Sequence, residues 1–250
     1  MCLLLLALDS VADRPWLLLG NRDEFHARPT APAQLWDDAP DVAGGRDLQA
    51  SGSWLALQRT GRFAAVTNVR GVKSPAASRS RGALVADFVR GEGSPREYVA
   101  TVAAHSADYG PFNLVVGDFG GAWFVSSLDS VPRQLARGIH AFSNGSSVDE
   151  WPKMRRLRAR FGALTTSGAI GDEALLDLLS DREQPADSEL PNTGVGLQLE
   201  RLLAPIFVVG EAYGTRASTL AYARADGSLV LHERRYGANA VFAGESRLQL

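Results

Sequence analysis

Cys2-Leu3-Leu4-Leu5-Leu6-Ala7-Leu8, then Trp16-Leu17-Leu18-Leu19, and directly after it Gly20-Asn21-Arg22-Asp23-Glu24-Phe25, is the stretch on which the fold turns. Two apolar runs of strand length around Asp9 to Pro15 read as a hairpin of two buried strands. Asp9 and Asp13 cut the first run short of a membrane span, and no basic residues precede it as they would in a secretory leader. Asn21, Arg22, Asp23 and Glu24 then form a polar cluster that reads as a loop after the second strand. Because that strand's partner begins at Cys2, the cluster returns to the neighbourhood of the chain's first residues.

Similar pairs recur along the chain. Residues 53–58 and 62–67 flank Arg59-Thr60-Gly61, residues 112–116 and 123–127 flank Gly117 to Gly121, and residues 217–223 and 229–233 flank Ala225 to Ser228. Helical patterns lie between them. One covers Ala83 to Val89 after Ser80-Arg81-Gly82, and one follows Ser94-Pro95, a helix-start signature. A third runs from about Trp151 through Met154, Leu157 and Phe161, with Lys153, Arg155, Arg156, Arg158 and Arg160 read as its solvated outer face. The last two span residues 173–179 and 197–203, while Pro29 to Gly44 and Ser180 to Gly196 read as loops. Hairpins separated by helices imply antiparallel sheets with helices packed on them, hence an α+β fold. Two sheets face to face, each covered outside by helices, satisfy the pattern economically, although it admits other α+β layouts. No domain boundary is visible, so residues 1–250 are expected to form one domain.

With 45% apolar and 22% charged residues, the 250-residue chain is globular with ample core. Its net charge of -2 offers no general attraction for nucleic acid or anionic membrane. A lone cysteine excludes an internal disulfide and a multi-cysteine metal cluster, and makes the cytoplasm the expected compartment. His26, His105, His140 and His232 are scattered without metal-ligand spacing, so no metal site is expected. Gly91-x-Gly93 and Gly194-x-Gly196 lack the context of a phosphate-binding loop.

Cys2 is the first candidate for chemistry. Removal of Met1 leaves one residue with both a thiol and a free α-amine, whose pKa of about 8 suits it to act as base beside the nucleophile. The plainer reading is a small buried hydrophobe. A nearby Arg favours the thiolate, and a nearby Asp would orient the amine.

Asn21-Arg22-Asp23-Glu24 is the signature for which the NRDE family is named, a family that includes the transport and Golgi organisation homologues. The resemblance continues in order. It runs through Gly44-Gly45-Arg46-Asp47, Gly52-Ser53-Trp54-Leu55-Ala56, Thr67-Asn68-Val69-Arg70 and Ser80-Arg81-Gly82. Pro111-Phe112-Asn113-Leu114, Ser143-Asn144 with Trp151-Pro152-Lys153, and Tyr213 to Thr219 complete it. Ser51, Ser53 and Ala56 depart mildly from the family's glycine, threonine and glycine. The resemblance implies an N-terminal nucleophile (Ntn) hydrolase fold, a four-layer αββα sandwich of two mainly antiparallel sheets. Relatives of that fold include the cysteine amidases that cleave penicillin V and conjugated bile salts.

By motif position the resemblance implies Cys2, Arg22, Asp23, Asn68, Asn144 and Arg216 as catalytic residues, with Asn21, Glu24 and His26 as candidate substrate contacts. Asp23 and Glu24 both stand as partner for the amine. Asn68 and Asn144 lie beside turn-forming segments and equally suit local backbone roles, and Arg216 opens a strand where an exposed Arg is common. The implied activity is hydrolysis of a non-peptide C–N amide or thioester bond in a small amide or acyl substrate, with no cofactor required. The alternative is a non-catalytic protein that binds and moves haem or an acyl lipid; a weakly held haem ligand needs no Cys-Pro pair. A third reading is an interaction module using the basic Lys153 to Arg160 helix. Neither a nucleic-acid partner nor a membrane span is expected, and the oligomeric state is not readable.

Overall fold

The computed structural model describes residues 2–72, 77–146, 149–168 and 170–250. Strands β1 (Cys2–Val11) and β2 (Arg14–Phe25) pair antiparallel, with Leu4 opposite Gly20 and Leu8 opposite Trp16. Both faces of this hairpin are covered, which is why its leucines run on without polar alternation. Leu3, Leu5, Leu17 and Leu19 pack with Met154, Leu157, Phe161 and Leu175 on one side. Leu4, Leu6, Leu18 and Trp16 pack with Leu55, Leu57, Phe63 and Phe124 on the other. Each fully buried leucine contributes roughly 1.5–3 kcal/mol, so the hairpin is anchored as a central layer.

The connection is tighter than the loop expected over Asp9 to Pro15. The strands extend to Val11 and back to Arg14, and a bulge between Leu8 and Val11 absorbs the polar residues, with Asp9 at φ 47°. The polar Asn21 to Glu24 segment is likewise strand. β2 continues to Phe25 because β1 reaches Arg22 on one flank and β11 (Tyr213–Ala223) reaches Phe25 on the other.

Among the described residues, thirteen strands form two antiparallel sheets. The first has the order β10 (Gly138–Phe142), β1, β2, β11, β12 (Leu229–Tyr236), β13 (Phe242–Gln249). The second runs β3 (Thr30–Trp36), β4 (Ala39–Asp47), β5 (Leu55–Gln58), β6 (Phe63–Asn68), β7 (Phe112–Asp118), β8 (Gly121–Ser126), β9 (Arg133–Leu135). Helices α3 (Pro152–Ser167) and α4 (Asp172–Leu178) cover the outer face of the first sheet. Helices α1 (Arg81–Arg90) and α2 (Pro95–Ala104) cover that of the second. The layers are therefore αββα, as the resemblance implies. A fifth helix, α5 (Leu197–Leu203), follows the irregular 180–196 segment. Ser94 and Glu97 form a reciprocal capping box at α2, with Pro95 in the first turn.

Two further expectations need correction. Pro29 to Gly44 is largely the β3–β4 hairpin rather than a loop: Pro32 has no N–H to donate, and β3 is the edge strand, bulged between Ala31 and Gln34. The basic face of α3 is also not uniformly solvated. Lys153 is only 4% exposed. Arg155, Arg156, Arg158 and Arg160 are engaged by Glu189, Asp181, Glu183 and Glu150 of the same chain, leaving little unopposed charge for an acidic partner. Among the described residues no helix is long and apolar enough to cross a membrane.

Candidate functional site

Cys2 begins β1 directly opposite Arg22. The alternation of β2 then sends its polar residues to opposite faces. Arg22 shares a face with Leu18 and points between the sheets, where its guanidinium lies over Trp54, the residue just before β5, 4.4 Å from the ring centroid. Its Nη1 approaches Thr30 Oγ1 at 3.5 Å, and its Nη2 stands 3.7 Å from Glu24. Asp23 shares the other face with Leu19 and accepts a 2.7 Å hydrogen bond from Thr215. Burial pushes the Asp23 carboxyl above the usual carboxylate range, against neighbouring positive charges that include Lys153 and Arg22 and against the Thr215 hydrogen bond.

The cleft between the sheets is about 100 Å³ and is lined by Arg22, Asp23, Glu24, Arg28, Asp47, Ser53, Trp54, Asn68, Ser80 and Arg81. One wall is the start of α1, where Ser53 N donates to Gly82 O at 3.1 Å. The backbones there are so close that a Cβ on Gly52 would lie 2.3 Å from the Gly82 carbonyl carbon, which accounts for glycine in the Gly52-Ser53-Trp54 block. Arg28 grips Asp47 through Nε and Nη2, at 3.0 and 2.6 Å. Although burial pushes the Asp47 carboxyl up, Arg28 and the Gln49 N–H hold it below its ordinary value.

The remaining sequence-predicted residues divide between this cleft and its supports. Glu24 sits between Arg22 and Arg28, at 3.7 and 3.8 Å. Asn68 ends β6 half-buried at the cleft. Asn144 is fully buried behind it, its Nδ2 donating 2.8 Å to Asn68 O. Asn21 faces the helices, where its Nδ2 donates to Leu179 O and Ile206 O, each at 2.8 Å, and its Oδ1 accepts from Ser218. Arg216 occupies a bulge within β11 instead of an exposed strand opening, and ties down the β2–β3 connection through Arg28 O, Phe25 O and Thr30 Oγ1. Neither ring nitrogen of His26 makes a hydrogen bond of good geometry among the described residues, although the Gly210 backbone lies close enough to act on the ring. Burial and the charge of Arg216 lower its pKa, against a weaker opposite pull from the Gly210 backbone.

Trp54, Arg28, Asp47, Arg81 and Thr215 join the site without having been singled out individually. Asp47, Trp54, Arg81 and Thr215 lie inside the sequence blocks quoted above; for Arg28 no local signal exists. Elsewhere, Glu173, His232 and Glu245 bring ligand-type atoms within 4.8 Å of one another, but Arg234 already engages both glutamates.

Residues 1–238 match the sequence model of the family described as Transport and Golgi organisation 2. The Transport and Golgi organization protein 2 homolog of Bos taurus is 28% identical over 235 residues, covering 87% of this chain and 85% of the relative. The Drosophila melanogaster protein is 30% identical over 230 residues, covering 82% and 80%. Among solved structures, the C2A mutant of conjugated bile acid hydrolase from Clostridium perfringens superposes with a TM-score of 0.55 at 9% identity, covering 100% of this chain and 92% of that one. At that identity the likeness is one of fold, and the fold is that of the Ntn hydrolases.

Proposed function

This chain belongs to the Transport and Golgi organisation 2 family, and we propose that it acts as an N-terminal cysteine hydrolase of a non-peptide C–N amide or thioester bond once Met1 is removed. The observation that carries this reading is the register of β1 on β2. It sets the backbone of Cys2 opposite Arg22, whose guanidinium is buried at the cleft, and beside Asp23. The neutral α-amine of Cys2 takes the thiol proton, and the thiolate adds to the acyl carbon. The protonated amine then gives its proton to the leaving nitrogen, and the C–N bond breaks to leave an acyl thioester. Water, deprotonated by the same amine, releases the acid and restores the thiol. Arg22 favours the thiolate, Asp23 accepts from the amine, and the Asn68 amide donates to the oxyanion, a contribution of roughly 3 kcal/mol.

A thiol-directed acylating probe followed by peptide mapping tests this directly. Stoichiometric labelling at a Cys2 that has lost Met1 is expected. An inert thiol, or Met1 retained in active protein, would refute it.

The buried ring nitrogens of His26, without a well-formed hydrogen bond, favour a second reading, reversible haem carriage without bond cleavage. Burial keeps that imidazole neutral near pH 7, as a ligand must be. Titration with micromolar haem should then shift the Soret band, and His26→Ala should abolish the shift. No shift in the parent protein rules this reading out.

A further inference from the structure

β13 is the last strand of the first sheet, paired with β12 on one side and with no strand on the other among the described residues. Next to its end, Leu229 and Leu250 exchange both of their backbone hydrogen bonds, at 3.0 and 2.9 Å. Such pairs alternate along an antiparallel ladder. Leu248 and Ser246 therefore turn their N–H and C=O groups toward β12, while Glu245, Arg247 and Gln249 turn theirs outward. Among the described residues only Arg235 Nη2 reaches that outer row, 3.5 Å from the Glu245 carbonyl and at the limit of a hydrogen bond. Exposed edges are commonly blunted by proline, by a bulge or by charge. β13 contains no proline, and its bulge lies at the far end, between the pairs Arg235–Gly244 and Tyr236–Phe242. Its charges are one of each sign, placed on either side of a serine: Glu245-Ser246-Arg247.

We propose that this edge joins two copies of the chain, whose β13 strands pair antiparallel about a two-fold axis through Ser246. In a self-paired antiparallel strand the axis must pass through a residue, because outward-turned groups have to face outward-turned groups. An axis through Glu245 or Arg247 sets that charge against its own copy, which is destabilising. The axis through Ser246 sets Glu245 opposite the second copy's Arg247, and Arg247 opposite the second copy's Glu245. It is the one position on β13 that pairs unlike charges. Each of these two pairs exchanges both backbone hydrogen bonds, so the groups left over on the edge are used. The side chains are placed to follow, with exposures of 39% for Glu245 and 62% for Arg247. Within the chain Glu245 already lies opposite Arg234, 3.6 Å away, so signs alternate across the joined strands. At the axis the facing Cα atoms come within about 4.5 Å, a distance the small serine side chain tolerates. The product is one continuous sheet with six strands from each copy.

Sedimentation velocity of the full chain over a micromolar concentration series should show a concentration-dependent dimer. Glu245→Arg and Arg247→Glu each bring like charges face to face at both pairs, and each should weaken self-association about tenfold. Mixed in equal amounts, the two variants should associate with one another as tightly as the parent does with itself, because every facing pair is again of unlike sign. Neither misfolding of a variant nor loss of its contact to Arg234 or Asp172 can produce that rescue. Ser246→Cys in a Cys2→Ala background locates the axis. Mild oxidation should link two copies through it, since the facing Cα atoms are within disulfide reach, whereas Gln249→Cys in the same background should stay unlinked. A parent chain that sediments only as a monomer, a dimer indifferent to both charge reversals, or a mixture without rescue would each overturn the pairing.

Discussion

Cys2→Ala is expected to reduce turnover of an amide or thioester substrate on the order of 10⁴- to 10⁶-fold, the loss seen when a nucleophile is deleted from a preorganised acyl-transfer site. The more discriminating variant is one that keeps the thiol and blocks the amine. A chain on which Met1 is retained should be nearly as inactive as Cys2→Ala, because the base is then an amide nitrogen with no proton affinity near neutral pH. An ordinary Cys–His enzyme would not notice that change. Folding should hold in both variants, since the burial that anchors β1 is supplied by Leu3, Leu4, Leu5, Leu6 and Leu8. Intact-mass measurement of the N-terminus together with kcat/KM checks both points. Full activity with Met1 in place would remove the α-amine from the mechanism whatever Cys2→Ala does.

Why the hairpins were legible, and the site only partly so, follows from what each residue meets. Gly61 and Gly227 take φ values of 88° and 86° at turns between apolar runs, so those hairpins announce themselves locally. Asn21 to Glu24 did not read as strand, because polar residues in a central strand are favourable only when they are partnered, and for three of these four the partner lies far along the chain. Asn21 finds Ser218, Asp23 finds Thr215, and Arg22 finds Trp54. None of those partners is within 30 residues, so no window of sequence could supply them. Lys153 misled for the converse reason. Its spacing groups it with four surface arginines, and only the fold of residues 203–208 over β2 turns it inward. Asn68 and Asn144 read equally as catalytic or local in sequence; in the fold Asn68 lines the cleft, and Asn144 is buried behind it with its Nδ2 donating to Asn68 O, a contact no window of sequence reveals.

That support extends into the second large effect. Glu200→Ala should lower the free energy of unfolding by about 3–5 kcal/mol, the range for removing one member of a buried ion pair. Arg70 and Glu200 have side-chain exposures of 7% and 4%, and Arg70 Nη1 meets Glu200 Oε2 at 2.5 Å. The other carboxylate oxygen accepts from Thr193 N and Oγ1, at 2.8 and 2.6 Å, pinning the loop before α5. The substitution therefore takes the carboxylate from a buried guanidinium and two hydrogen bonds from the loop together. An Arg70→Met/Glu200→Leu pair leaves no charge behind and should lose clearly less, so urea unfolding of the two variants separates pairing from shape. The effect should also reach the cleft. Arg70 N donates to Asn144 O at 2.8 Å, and Asn144 in turn holds Asn68 through its carbonyl. If Arg70 shifts once Glu200 is gone, Asn68 loses its backing and Cys2 acylation slows by more than the fraction unfolded explains. A loss of under about 1 kcal/mol would place the Arg70–Glu200 pair among the exposed kind, and an unchanged acylation rate per folded molecule would separate it from Asn68.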